Sequence, residues 1–428
     1  MTTFQLTSLL ISIAALFGWI SSRWLKLPLT IGTMLLTVVC SLTLVSISPI
    51  APSLQPWAMQ LVQQINFESL ILHGMLSLLL FAGAFLLDLD YLVEENLTVA
   101  VLSVVGTILS TIAIASLMWL TLPLIGIPAT WLHCLFFGAL ISPTDPIAVL
   151  EMLRRVGVPK NVQAQLAGES LFNDGVGAVI FLALLDVSRG ATPSLGHLEI
   201  FFLLKAGGGI ALGVVGAWIT SHLMRLVDAY QVEILLTLSL ALGGYALADL
   251  WHLSAPLEAV AAAIALRRFN QNHSPTLIAH ESIDHFWEVI DEIQNAVLFV
   301  LLGLEVLAIP IHRQSFRSGL IAIVAVNVVR LAVVALLLAC IRLVKRNHQS
   351  SLLALSWGGL RGGLSIALAL SVPADQGRSW ILATTYVVVV FSIVIQGGSM
   401  DLFLRRLNAK KKPPQTDSPT TITHGERP

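Results

Sequence analysis

The stretch GESLFNDGVGAVIF, from Gly168 to Phe181, places Glu169, Ser170, Asn173 and Asp174 within six residues and then runs into apolar chain. On a helix Glu169 and Asn173 stand four residues apart, as do Ser170 and Asp174, so the four side chains form one polar stripe. Two carboxyls, an amide and a hydroxyl are oxygen ligands of the kind that suit a proton or a hard cation. Helix capping accounts for Glu169 and Ser170. It does not account for Asp174, five residues deeper and leading into AVIFLALL.

Two further stretches carry chemistry. In HCLFFGALISPTDPIAVLEML, Pro143 and Pro146 fall inside an apolar run. Each removes a backbone donor and clashes with the preceding turn, so the helix breaks there. An ordinary kink explains the prolines but not Asp145 between them, nor the neighbouring Thr144. In LLALSWGGLRGGLSIALAL, Gly358, Gly359, Gly362 and Gly363 flank Arg361. The glycines weaken the helix and admit another backbone, and a buried Arg361 argues against a merely structural crossing. Arg330, in VNVVRLAVV, also needs a partner, since intramembrane charges are costly and mark functional sites. Lys205 lies early in its run and can snorkel to an interface.

The elements that must hold these residues follow from composition. The chain has 428 residues, 56% hydrophobic and only 11% charged, with a mean hydropathy of +0.84. Soluble proteins carry about a quarter charged residues, and here the apolar runs are about 20 residues long, the length of a membrane-crossing helix. The fold class is an all-α polytopic membrane protein. Thirteen spans are expected, near 4–22, 28–49, 68–87, 98–124, 130–152, 164–187, 198–224, 232–250, 254–268, 290–310, 318–341, 351–372 and 379–403. Spans 5 and 12 carry the interruptions and have opposite orientation. Such a pair points to inverted repeats with the site between two interrupted helices.

Residues 1–404 read as one transmembrane domain and 405–428 as a short, basic, disordered tail. The connections and tail on one side hold seventeen Lys and Arg, those on the other side four. The positive-inside rule puts the N-terminus outside and the C-terminus in the cytoplasm. Trp24, Trp119, Trp131, Trp251, Trp287 and Trp380 fall near span ends, as interface aromatics do. Cys40, Cys134 and Cys340 show no metal or redox spacing and read as small packing residues. HESIDH, from His280 to His285, has one residue too many for a zinc helix and falls in a connection, where it reads as solvated. Glu305 reads as an interfacial charge. No basic or aromatic patch points to nucleic acid, and no nucleophile or cofactor motif points to an enzyme.

GESLFNDGVGAVIF, ISPTDPIAV and WGGLRGGLSIAL, in this order and spacing, together resemble the NhaP/NHE-type cation:proton antiporters. The likeness extends from about residue 70 to 405, nearly the whole membrane portion. Asn173-Asp174 matches the Asn-Asp branch, associated with electroneutral exchange. The resemblance implies a thirteen-helix homodimer in the plasma membrane that exchanges Na⁺, or Li⁺ or K⁺, for H⁺ with no other cofactor. It makes Asp174 the carboxylate that binds cation and proton in turn, with Asn173 its structural neighbour. Thr144, through its carbonyl, and Asp145 and Ser170, through their side chains, match ligand positions. Glu169 matches the acid paired with Arg330, and Arg361 matches the arginine that organises the crossing. Family members often carry a glutamate in span 3, in a pattern like FEGAL; here FAGAF puts Ala82 there. A proton-coupled solute symporter would want a larger polar pocket, and a cation channel could use Asp145 and Asp174 as lining charges.

Overall fold

A chain that crosses hydrocarbon must close its backbone hydrogen bonds within each segment, and helices do so. The computed structural model describes residues 3–26, 29–47, 74–145, 153, 158–190, 195–227, 229–271, 277–307, 313–344, 351–400 and 402, and every regular element among them is helical. Seven helices among the described residues are long and apolar enough to cross a membrane: Gln5–Leu25, Asn96–Ile125, Lys160–Ser188, Leu203–Met224, Tyr230–Leu250, Gln314–Val344 and Arg378–Met400. Shorter apolar helices, Leu29–Leu44, Leu76–Phe85 and Trp131–Ile141, stand where spans 2, 3 and 5 are expected. The start of span 3, residues 146–152 of span 5 and the tail 405–428 lie outside the described residues.

Outward faces carry Leu203, Leu204, Trp218, Leu235, Val324 and Leu336, all exposed. In water such a surface would aggregate; against lipid it matches its solvent. Trp24, Trp119, Trp131 and Trp251 are exposed, and Lys205 is partly so, as interface positions require.

Both interruptions are present. Trp131–Ile141 ends at Ser142, and Ser142–Asp145 is not helical. Leu352–Trp357 ends at Gly358, and helix resumes at Gly363–Leu370. The breaks meet: the Asp145 N–H donates to the Leu360 carbonyl at 2.8 Å, an isolated antiparallel bridge. The Lys160–Ser188 helix lies against Trp131–Ile141 and also touches Leu352–Trp357 and Gly363–Leu370. It therefore carries the polar residues past both breaks.

Four expectations are corrected. Residues 277–289 are not a connection: one helix runs from Leu277 to Leu304. Asp284 on it is not simply solvated, because Arg267 donates to its carboxylate at 2.9 Å. Trp287 is not interfacial but completely buried; its indole Nε1–H donates to Thr237 at 3.1 Å and its ring packs on Phe81. Glu305 is likewise buried. Cys40 and Cys340 are exposed on outward helix faces, and only Cys134 packs inside. The errors at 277–289 and at Trp287 have one cause: an apolar run was cut at charged residues, although a helix continues past a charge that has a partner or faces a cavity.

Replacing Trp287 with Ala removes the largest fully buried side chain and the indole N–H that donates to Thr237. The expected loss is about 3–5 kcal/mol, seen as a lower melting temperature of the purified protein in detergent. A melting curve that overlays the parent's would contradict the packing role.

Candidate functional site

Glu169, in the middle of the Lys160–Ser188 helix, is 1% exposed, and Arg330, in the middle of Arg313–Val344, is 6% exposed. A buried charge at that depth is costly unless it is paired. They form a two-pronged pair: Arg330 Nη1 donates to Glu169 Oε1, and Nη2 to Oε2 at 2.9 Å. Nη2 also donates to the Leu355 carbonyl at 2.9 Å, tying the pair to the helix before the second break. Gly359 makes room for it, since a Cβ there would sit 2.7 Å from Arg330 Nε.

Arg361 fills the other break. Its Nη1 donates to the Ser142 carbonyl and, at 2.8 Å, to the Pro143 carbonyl. These acceptors are freed by the prolines' disruption of the helix. Its backbone N–H donates to Ser392 Oγ at 2.9 Å. Ser392 opens a π-helical turn, Ser392–Gly397, in the last long helix. Such turns are rare and cluster at functional sites. At Gly362 a Cβ would collide with the Asp145 carboxylate, so glycine is what lets the two breaks close on each other.

Between the breaks stands a closed polar knot. Asn173 Nδ2 donates to Thr144 Oγ1 at 2.9 Å, its Oδ1 accepts from the Thr144 N–H at 3.3 Å, and Thr144 Oγ1 shares a hydrogen with Ser170 Oγ at 2.8 Å. All three residues are buried. Asn173 thus locks the Lys160–Ser188 helix to the first break.

Asp174 is different. Among the described residues no protein donor bonds its carboxylate. The charged groups that act on it are Asp145 and Arg361. Asp174, Asp145, Thr144 and Gly362 line one cavity of about 550 Å³. At about 30 Å³ per water that is room for well over ten waters, so a cation can enter with a hydration shell.

The polar stripe read from sequence is split. Five residues at about 100° each turn the helix through about 140° between Glu169 and Asp174. Glu169 accordingly faces Arg330, and Asp174 faces the cavity. The structure brings together all of Asp145, Thr144, Ser170, Asn173, Asp174, Glu169, Arg330 and Arg361, with Gly359 and Gly362 at the points of closest approach; Gly358 ends the first half-helix. Ala82 is completely buried and stands outside the cavity wall, while Gly83 beside it is part of that wall.

The cavity also has walls that the motifs did not announce. Asp284, Glu288, Asp291, Glu292 and Asn295 line it from the Leu277–Leu304 helix, and Thr30 lines it from Leu29–Ile47. The spacing was visible in sequence: positions 284, 288, 291, 292 and 295 share one helical face. Starting a span at 290 cut that face in two.

The chain is similar to known proteins over nearly its whole length. Residues 11–406 match the transmembrane sodium/hydrogen exchanger family. The chain is 38% identical to the Na(+)/H(+) antiporter NhaP of Pseudomonas aeruginosa, over 95% of this chain and 97% of that one. It is 31% identical to the Na(+)/H(+) antiporter NhaH of Halobacillus dabanensis, over 90% and 93%. Its fold is similar to that of the sodium proton antiporter MjNhaP1 of Methanocaldococcus jannaschii, with a TM-score of 0.71 at 20% identity, covering 94% of this chain and 97% of the other.

Removing one member of a buried pair strands the other, at about 3–5 kcal/mol. Glu169→Ala and Arg330→Ala are each expected to lower the yield of folded protein, and Glu169→Ala/Arg330→Ala to recover much of it. Size-exclusion profiles in detergent read this. Independent, additive losses would show that the two side chains do not depend on each other.

Proposed function

The chain belongs to the sodium/hydrogen exchanger family, and from that premise we propose that it is a secondary antiporter exchanging Na⁺ for H⁺ by competition at Asp174. The observation that carries this reading is the contrast on one helix: Glu169 is bonded by Arg330, whereas Asp174 faces a hydratable cavity with no protein donor on its carboxylate. A carboxylate so placed can accept a proton or a hard cation but has no fixed partner that would occupy it permanently.

The charge count supports a one-for-one exchange. Glu169 and Arg330 cancel. At the breaks Asp174 is acted on by Asp145 and by Arg361, so these two acids outnumber that guanidinium by one when all are ionised. One Na⁺ or one proton cancels this excess, so loaded states carry the same charge and the cycle is electroneutral. Ala82, in place of a further acid, keeps the excess at one. The same oxygens would accept Li⁺ or K⁺ with affinities set by size. Asp145 and Asp174 supply the charge for the cation, while Thr144 and Ser170 hold the wall behind them.

The rim of the cavity fits the direction of loading. Glu288, Asp291 and Glu292 give it a negative potential, which raises the local cation concentration. On the charge asymmetry of the connections this rim faces the cytoplasm, with the N-terminus outside. The meeting half-helices act as crossing helices of two inverted repeats within a thirteen-span fold, and the breaks move as one body during alternating access. A homodimer in the plasma membrane bilayer would supply the fixed body against which they move.

Asp174→Asn is expected to insert and fold but to abolish Na⁺-dependent dequenching of a pH dye in everted vesicles. Exchange at the parent rate in that variant would sink the assignment. The same vesicles with the voltage clamped test electroneutrality: the initial rate is expected not to change with imposed potential.

A further inference from the structure

Asp174 lines the same cavity as Glu288, Asp291 and Glu292, of which Glu288 and Glu292 are exposed, and a desolvated ion passing between them needs oxygen. Two polar side chains on the wall are placed to give it. Thr30 is 7% exposed and Asn295 is 1% exposed, and both line the cavity that holds Asp174. Among the described residues neither Thr30 Oγ1 nor Asn295 Oδ1 has a hydrogen-bond partner.

Buried oxygens are costly to leave without partners, and nearly all native ones are satisfied. Both residues belong to the cavity wall, so an ion or water in the cavity can supply the partner when these side chains turn toward it. The helices that carry the two residues pack on each other. Gly303 is seated against Thr37, where a Cβ would approach to 2.5 Å, and Ser41 Oγ donates to the Gly303 carbonyl at 2.8 Å. Asn295 is eight residues before Gly303 and Thr30 seven before Thr37. At about 1.5 Å per residue both lie roughly 10–12 Å along their helices from that contact, and both reach the same cavity. The side-chain amide turns about its last bond, so either its oxygen or its nitrogen can face the space.

We propose that Thr30 and Asn295 form a neutral cation-binding station between the acidic rim and Asp174, where Na⁺ exchanges part of its water shell for two protein oxygens. This rests on the antiport reading above. Its ligands are uncharged, so the station holds the ion weakly and releases it inward to the carboxylates. It also sorts ions by the cost of shedding water, a property distinct from the exchange step.

The test is Na⁺-, Li⁺- and K⁺-driven proton flux in everted vesicles, which present the rim to the medium. Thr30→Val/Asn295→Leu removes both oxygens at nearly constant volume. It is expected to raise the apparent KM for Na⁺ three- to tenfold while Vmax falls less than twofold, and to change the order of the three cations. Thr30→Ser, which keeps the hydroxyl, is expected to stay within twofold of the parent KM. If the double variant does not fold, Thr30→Val alone is expected to give a two- to threefold rise. An unchanged KM and cation order in folded variants would overturn the station, as would an equal KM rise in Thr30→Ser. Asp174→Asn run alongside separates the two ideas: its continued exchange would remove the antiport site but not a KM shift at the station.

Discussion

Two helices broken inside an apolar bundle leave backbone donors and acceptors that lipid cannot satisfy, at several kcal/mol each. Here the breaks satisfy one another. The carbonyls of Ser142 and Pro143 accept from Arg361, which belongs to the other break. The Asp145 N–H finds the Leu360 carbonyl, and the Arg361 N–H finds Ser392. Arg330 serves the Leu355 carbonyl while it pairs with Glu169. The irregular backbone is therefore held firmly, and main-chain bonds fix Asp145 opposite Gly362.

The same constraint divides the acids of one helix. A buried ion pair gains from mutual attraction only if its geometry is good and its remaining hydrogens are bonded. Glu169 and Arg330 meet the first condition with two prongs and the second in part, through Leu355; among the described residues the Arg330 Nε–H has no partner. A pair held in this way does not trade its partner for a transient ion. Asp174 is turned by about 140° from it and meets only water-sized space, a like charge and a more distant guanidinium. Fixed and exchangeable carboxylates thus share a helix because its pitch separates their faces, and Asn173 anchors the helix between them.

The motifs made the site legible because each breaks a local rule strongly: prolines within an apolar run, four glycines around an arginine, an acid followed by eight apolar residues. Such violations need a nearby cause, and the residues named by them prove to be neighbours. The pairing of Glu169 with Arg330 was legible only through resemblance, since no spacing links positions 161 residues apart. Thr30 and Asn295 broke no rule. A threonine or asparagine is tolerated in a membrane helix, and what marks these two is a missing partner, which only packing reveals. Trp287 misled because a residue at the end of an apolar run is interfacial only if the helix ends there too. The Leu277–Leu304 helix instead extends well before the run, carrying acids along the cavity mouth.

Leucine is the commonest residue in the cavity wall, with Leu29, Leu76, Leu80, Leu171, Leu298 and Leu364 among them. Apolar walls screen poorly, so a single unbalanced charge a few ångströms away is felt at the level of a few kcal/mol rather than the ~1 kcal/mol of bulk water. In the proposed cycle this penalises the state in which Asp145 and Asp174 hold neither cation nor proton. The penalty is greatest when the site is cut off from both solutions, which is the state an empty transporter must cross to leak. The leucines thus contribute to coupling without touching the ion: they make the unloaded site costly to occlude, and the two loaded forms, equal in charge, cheap.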